Sequence, residues 1–172
     1  MHSFIALAYQ AIKTYLETEQ LLPAPDPLPA NMVEPAAVFV TLYAADNQLR
    51  GCRGTLVPTE PNLAEAIIRT AVSSAINDPR FTPITLAEVT ELKIKVDILS
   101  ALEHVSDVNL LDEKVYGVLI QSDSRRAVLL PNIDVVKNVP HQLELVRRKA
   151  GLSPNEPADL YRFTVTRYEA DS

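Results

Sequence analysis

Residues 36–57 read AAVFVTLYAADNQLRGCRGTLV, and this stretch decides the fold class. Val38, Val40 and Leu42 alternate with Phe39, Thr41 and Tyr43, the period-two pattern of a strand with one buried face. Asp46-Asn47 supplies turn chemistry, since both side chains hydrogen-bond their own backbone and tolerate left-handed φ. Leu49 to Val57 then returns as the second arm of a hairpin.

Downstream, Asn62 and Glu65 make a capping box for a helix to about Asn77, with Leu63, Ile67, Ala71 and Ala75 as one apolar stripe. Asp78-Pro79 should stop it. Thr85 and Glu88 form a second capping pair, before Ile94, Val96 and Ile98 alternate with Lys93, Lys95 and Asp97 in a half-buried strand. Upstream, Ser3 to about Leu22 has helical apolar spacing with Ser3 as N-cap. Pro23, Pro25, Pro27, Pro29 and Pro35 then dictate a stiff, irregular connector, with an SH3-type ligand as the alternative.

Toward the C-terminus, Tyr116 to Gln121 and Ala127 to Leu130 flank Ser122-Asp123-Ser124-Arg125 as another hairpin, which Pro131 ends. Pro140 suits a helix's first turn and Gly151 its αL stop. Arg147, Arg148 and Lys149 sit where that helix's dipole is negative, so the basic cluster needs no anion to explain it. Tyr161, Phe163 and Val165 alternate with Arg162, Thr164 and Arg167 in one terminal strand. Hairpins and separate helices, without regular β-α-β alternation, define an α+β fold: a central antiparallel sheet, a mixed one being the alternative, with helices packed on it.

The chain has 172 residues, 47% hydrophobic and 22% charged, enough for one core, and no linker marks a boundary; residues 1–172 are read as one domain. A net charge of −6 without a basic tail disfavours nucleic acid. With no long apolar run and no signal-peptide pattern, a cytoplasmic protein without a membrane association is expected. Cys52 is the single cysteine, which excludes an intramolecular disulfide or a multi-cysteine metal site. The three histidines lack metal-ligand spacing, so no metal is assigned, and the cofactor is left open.

The segment Leu49-Arg50-Gly51-Cys52-Arg53-Gly54-Thr55 carries the chemistry. Two glycines in four residues are unfavourable in an ordinary strand. A close ligand, a bulge or a helix lying on the strand would each require them. Flanking arginines would favour a Cys52 thiolate; the alternative is a small buried hydrophobe whose neighbours Arg50 and Arg53 pair with carboxylates. His104 and His141 are candidate bases for a catalytic Cys52, and either could equally be solvated. In Asp78-Pro79-Arg80-Phe81, a turn carboxylate, a bidentate guanidinium and an apolar anchor read as scaffold, with Arg80 the exception that could bind a ligand.

Leu49 to Thr55, Asp78 to Phe81, Ile98-Leu99-Ser100 with Glu103, Leu129-Leu130-Pro131 and Lys149-Ala150-Gly151-Leu152 together resemble the ordered landmarks of the AMMECR family. Asp78, Phe81 and Pro131 are read as structural from their own chemistry. The resemblance implies an α+β fold with a larger and a smaller lobe. It also implies association with Memo-type and radical-SAM-type proteins, as in the prokaryotic AmmeMemoRadiSam system, and no established activity. Arg53 stands where an aliphatic residue is common, Tyr116 where histidine is frequent, and Asn132 where glutamine is usual.

Two functions follow as expectations. In one, a ligand-binding or protein-interaction subunit uses Arg50, Gly51, Arg53, Gly54, Thr55 and Arg80 toward a partner or a small anionic ligand. In the other, Cys52 is the nucleophile or redox thiol of an enzyme acting on a small molecule.

Overall fold

The computed structural model describes residues 1–170. It opens with helix α1 (Ser3–Thr18), strands β1 (Ala37–Tyr43) and β2 (Leu49–Gly54), and helices α2 (Leu63–Ile76) and α3 (Leu86–Val89). Strands β3 (Lys93–Leu99), β4 (Glu103–His104), β5 (Gly117–Ser122) and β6 (Arg125–Leu129) follow. Helix α4 (Val139–Ala150) and strands β7 (Asp159–Phe163) and β8 (Val165–Glu169) complete the chain. The α+β class read from the sequence holds. Its strands divide between two four-stranded sheets, ordered β2-β1-β3-β8 and β4-β7-β5-β6, and the hairpins β1–β2 and β5–β6 are antiparallel. Two compact units result, Met1–Leu99 with the segment from Thr166, and Ser100–Val165.

In the first unit, α1 and α2 cover the sheet face that carries Val38, Val40, Leu42 and Val96, all at most 1% exposed. Of the capping box expected at the start of α2 the N-cap half forms, the Asn62 side chain accepting the Glu65 N–H at 2.8 Å, while the Glu65 carboxylate meets the Asn62 side-chain amide at 3.4 Å instead of its backbone N–H. α1 differs from expectation at both ends. His2, not Ser3, is the N-cap, its Nδ1 accepting the Phe4 N–H. The helix stops at Thr18 because Glu19 turns left-handed, φ 59°, and its N–H returns to the Tyr15 carbonyl. In the second unit, α4 packs its Val146 on Val118 and Ile120, and Gly151 ends it in αL as the sequence predicts. Pro131 lies two residues beyond β6 in this unit. Among the described residues no helix is long and apolar enough to cross a membrane.

Two strand expectations fail for identifiable reasons. The terminal strand breaks at Thr164, so β7 and β8 join different sheets; the Ser100 N–H donates to the Thr164 carbonyl, and the Thr164 N–H to the Ser100 hydroxyl. In β3, Asp97 is buried at 1% exposure whereas Ile98 is only half-buried. Arg167 supplies the reason, donating from Nε to Asp97 Oδ1 at 2.8 Å and neutralising the carboxylate.

Candidate functional site

β2 is an edge strand, so half of its backbone groups face away from β1 and need partners from elsewhere. Its alternation places Gly51 and Arg53 on the helix-covered side, beside Leu42 and Val40, and Cys52 on the opposite side beside Thr41.

α2 lies directly on Gly51. A Cβ there would stand 2.1 Å from the Ser74 carbonyl oxygen, so only glycine permits the contact. Gly54 is covered from the other side, where a Cβ would meet the Phe39 ring at 2.4 Å. Of the three explanations left open by the sequence, the structure supports packing: a helix on one glycine and an aromatic ring on the other.

Ser74 is buried at 1% exposure, and its Oγ accepts the Arg53 N–H at 3.0 Å while facing the Val40 and Thr70 carbonyls at 2.8 and 2.9 Å. Asp78 is 5% exposed and receives the Cys52 N–H on Oδ2 at 2.9 Å. Arg80 closes the other side of that carboxylate as a fork: Nε donates to Oδ1 at 3.1 Å and Nη2 to Oδ2 at 2.8 Å. The guanidinium's hydrogen bonds hold the Asp78 carboxyl well below the usual carboxylate range, helped by the Cys52 and Arg80 N–H groups and opposed by burial. Phe81 is half-buried, and the Arg80 guanidinium lies 5.2 Å above its ring.

Arg50 is not free. Its Nε and Nη2 each lie 3.0 Å from Glu88 Oε1, and its Nη1 donates to the Thr82 carbonyl at 3.2 Å. Glu88 in turn accepts the Thr85 N–H at 2.8 Å, which, with the Thr85 hydroxyl and Arg50, holds its carboxyl below the ordinary value against burial. The Thr85 capping box therefore doubles as the anchor of Arg50.

Four successive residues are thus fixed by separate partners: Arg50 by Glu88, Gly51 by α2, Cys52 by Asp78 and Arg53 by Ser74. Thr55 is half-buried, with its N–H on the Val38 carbonyl at 3.1 Å. The Cys52 thiol is half-buried, and its hydrogen-bonding neighbour is the Thr41 hydroxyl at 3.2 Å. The Arg53 side chain is exposed. The two candidate bases belong to the second unit and are engaged there: His104 Nε2 lies 3.8 Å from Asp159, and His141 Nδ1 accepts the Lys137 N–H.

Sequence reading missed Thr41, Ser74 and the partnership of Glu88 with Arg50. For Ser74 a signal existed, since it is a hydroxyl one residue before Ala75 on the helix side that carries Ala71 and Ala75. Thr41 and Glu88 required the hairpin register and the loop path.

An α+β chain with this glycine-cysteine edge strand under a helix defines a family rather than an activity. The AMMECR1 family model matches residues 5–172, and the chain belongs to that family. A protein of Thermotoga maritima is 39% identical over 170 residues, covering 98% of both chains. Protein CA_C1420 of Clostridium acetobutylicum is 35% identical over 168 residues, covering 96% of this chain but 36% of that longer one. The crystal structure of the uncharacterised protein PH0010 from Pyrococcus horikoshii matches with a TM-score of 0.85 at 31% identity, covering 96% of this chain and 89% of that one.

Proposed function

We propose that the chain is a ligand-binding or protein-interaction subunit that presents the Leu49–Thr55 strand, acting in the cytoplasm beside Memo-type and radical-SAM-type proteins. The observation that carries this reading is the pinning of Arg50 to Arg53 by four partners, with the Cys52 thiol half-open and the Arg53 side chain exposed. A strand held this way loses little freedom on binding, which is the condition for a recognition surface. Arg50 then positions the strand, while Cys52, Arg53, Thr55 and Arg80 offer the contacts. The Clostridium relative, where a stretch like this one makes up 36% of a longer protein, fits a subunit that works next to further polypeptide.

The test is capture of purified Memo-type and radical-SAM-type proteins by the wild type and by Arg53→Glu and Cys52→Ser variants with unchanged thermal stability. Loss of capture in Arg53→Glu is expected. Equal capture by all three proteins would sink the proposal.

One observation favours the second reading, a cysteine-dependent enzyme. The Cys52 thiol is half-open to solvent, and the Cys52 backbone N–H and the Arg80 guanidinium share the Asp78 carboxylate. Alkylation of Cys52 by iodoacetamide against pH decides it: a midpoint near ~8.5 with slow modification is the behaviour of an ordinary thiol and counts against catalysis.

A further inference from the structure

The sheet face opposite the helices holds a second feature besides Cys52. Thr41 lies opposite Cys52 on one side and opposite Lys95 on the other, and Tyr43 lies opposite Lys93. Over the ends of β1, β3 and β8 opens a cleft of about 760 Å³, lined by Tyr43, Asn47, Lys93, Lys95 and Glu169. That volume is within the ~300–1,000 Å³ of small-molecule sites.

Both ammonium groups are already positioned. Lys95 Nζ donates to the Tyr43 hydroxyl at 3.2 Å and lies 5.4 Å from its ring centroid. Lys93 Nζ donates to Asn47 Oδ1 at 2.7 Å. Each ammonium has three protons, so each keeps donors for a ligand after its internal bond is made. Asp97, on the same strand face, is neutralised by Arg167, which leaves Glu169 as the carboxylate facing the two lysines. In a chain of net charge −6, two lysines two residues apart on one side of a cleft are a local reversal of sign.

We propose that this cleft binds a small organic anion, its carboxylate or phosphate monoester held between Lys93 and Lys95 and its apolar body against the Tyr43 ring. The proposal rests on the binding reading above and gives it a ligand class and a second location on the same sheet face, with Arg50 excluded as the anion contact because Glu88 occupies it.

The full chain, ¹⁵N-labelled, is titrated at physiological ionic strength with phenyl phosphate and separately with benzoate. Saturable amide shifts centred on Tyr43, Asn47, Lys93 and Lys95 are expected with at least one probe, and the probe that saturates assigns the acid group. Lys93→Gln/Lys95→Gln should weaken that binding at least about tenfold, the loss of two charge-assisted contacts, whereas Glu169→Gln should tighten it about twofold. If the double variant loses its native spectrum, the single variants carry the test, each expected to weaken binding about threefold. Shifts that never saturate with either probe, or affinity unchanged in the lysine variants, overturn the proposal. Arg53→Glu should leave these shifts intact, so loss of partner capture and loss of anion binding are separately readable.

Discussion

Two strands, β2 and β5, solve the same problem in different ways. Both carry a glycine in close contact with a neighbour: a Cβ on Gly51 would stand 2.1 Å from the Ser74 carbonyl oxygen, and one on Gly117 would stand 2.4 Å from Phe163 Cζ. β5 is interior to its sheet, between β7 and β6, so its backbone groups find partners in both neighbours. β2 is an edge, and a side chain distant in sequence takes the place of the missing strand at Cys52, whose N–H donates to Asp78, while on the β1 side the Ser74 hydroxyl bridges the Arg53 N–H and the Val40 carbonyl. The interior strand is an ordinary ladder. The edge strand is a ladder on one side and a side-chain cradle on the other, which removes the open edge that would otherwise invite strand pairing.

The largest effect should separate the two glycines. Gly51→Ala drives a methyl into backbone, and a helix carbonyl cannot rotate aside, so a loss of about 3 kcal/mol or more is expected in urea unfolding. Gly117→Ala meets mainly the far end of the Phe163 ring, and the ring can tilt, although the Leu129 carbonyl at 2.8 Å limits the relief. About 1–2 kcal/mol is expected there. Equal costs would mean that α2 rides on β2 loosely enough to lift, and the close-approach account of Gly51 would fail.

The next effect tests the cradle itself. Asp78→Asn keeps an acceptor for the Cys52 N–H but removes the counter-charge of Arg80; because the Arg80 side chain is 56% exposed, water offsets part of the loss, and a cost of about 1–2 kcal/mol at neutral pH is expected. The pH dependence has a fixed sign. The folded Asp78 carboxyl titrates below its unfolded value near ~3.9, so its contribution is complete above that pH and is lost as pH falls from there through the folded pKa. The difference between wild type and Asp78→Asn in thermal unfolding should therefore be constant from neutral pH down to about 4 and narrow only below it. Backbone carbonyls do not titrate, so the ladder around β5 should add no such dependence to Gly117→Ala.

The comparison also explains what the sequence made legible. The hairpin at 36–57, the N-cap at Asn62, the capping box at Thr85, the αL stop at Gly151 and the Asp123 turn are local events, encoded within four or five residues, and the α+β class follows from them. Non-local pairings were out of reach. Nothing near Asp97 announces Arg167, so its carboxylate reads as a solvated position on a half-buried strand. Nothing near Thr164 announces that the Ser100 backbone and hydroxyl will capture both its N–H and its carbonyl and split one strand into two. At the site, the glycines were recognised as constrained, but whether ligand, bulge or helix constrained them depended on where Ser74 fell. That Arg50 pairs with a carboxylate is one of two readings left open by the sequence, and which carboxylate is illegible there because Glu88 lies 38 positions away in the chain.

The smallest effect concerns that pair and tests whether it belongs to the cradle. Arg50 is 17% exposed and Glu88 38%, which places the ion pair at the surface's edge rather than in the interior. Solvent screening limits such pairs, so a double-mutant cycle on Arg50→Ala and Glu88→Gln should give a coupling of about 0.5–1 kcal/mol, reduced in high salt. The matching pair in the second sheet, Arg162 with Glu103 across β7 and β4 at 3.4 Å, has a more exposed carboxylate and should couple by about 0–0.5 kcal/mol. Both guanidiniums also hold a backbone carbonyl, Arg50 that of Thr82 and Arg162 that of Leu110. The Arg50 pair should exceed the Arg162 pair because Glu88 is less exposed than Glu103 and is already fixed by Thr85, so little side-chain freedom is lost in forming the contact. A coupling above about 2 kcal/mol would make Arg50 a member of the buried network with Asp78 and Ser74. A coupling indistinguishable from that of Arg162 would make the strand's anchorage the work of Asp78, Ser74 and the close contact at Gly51 alone.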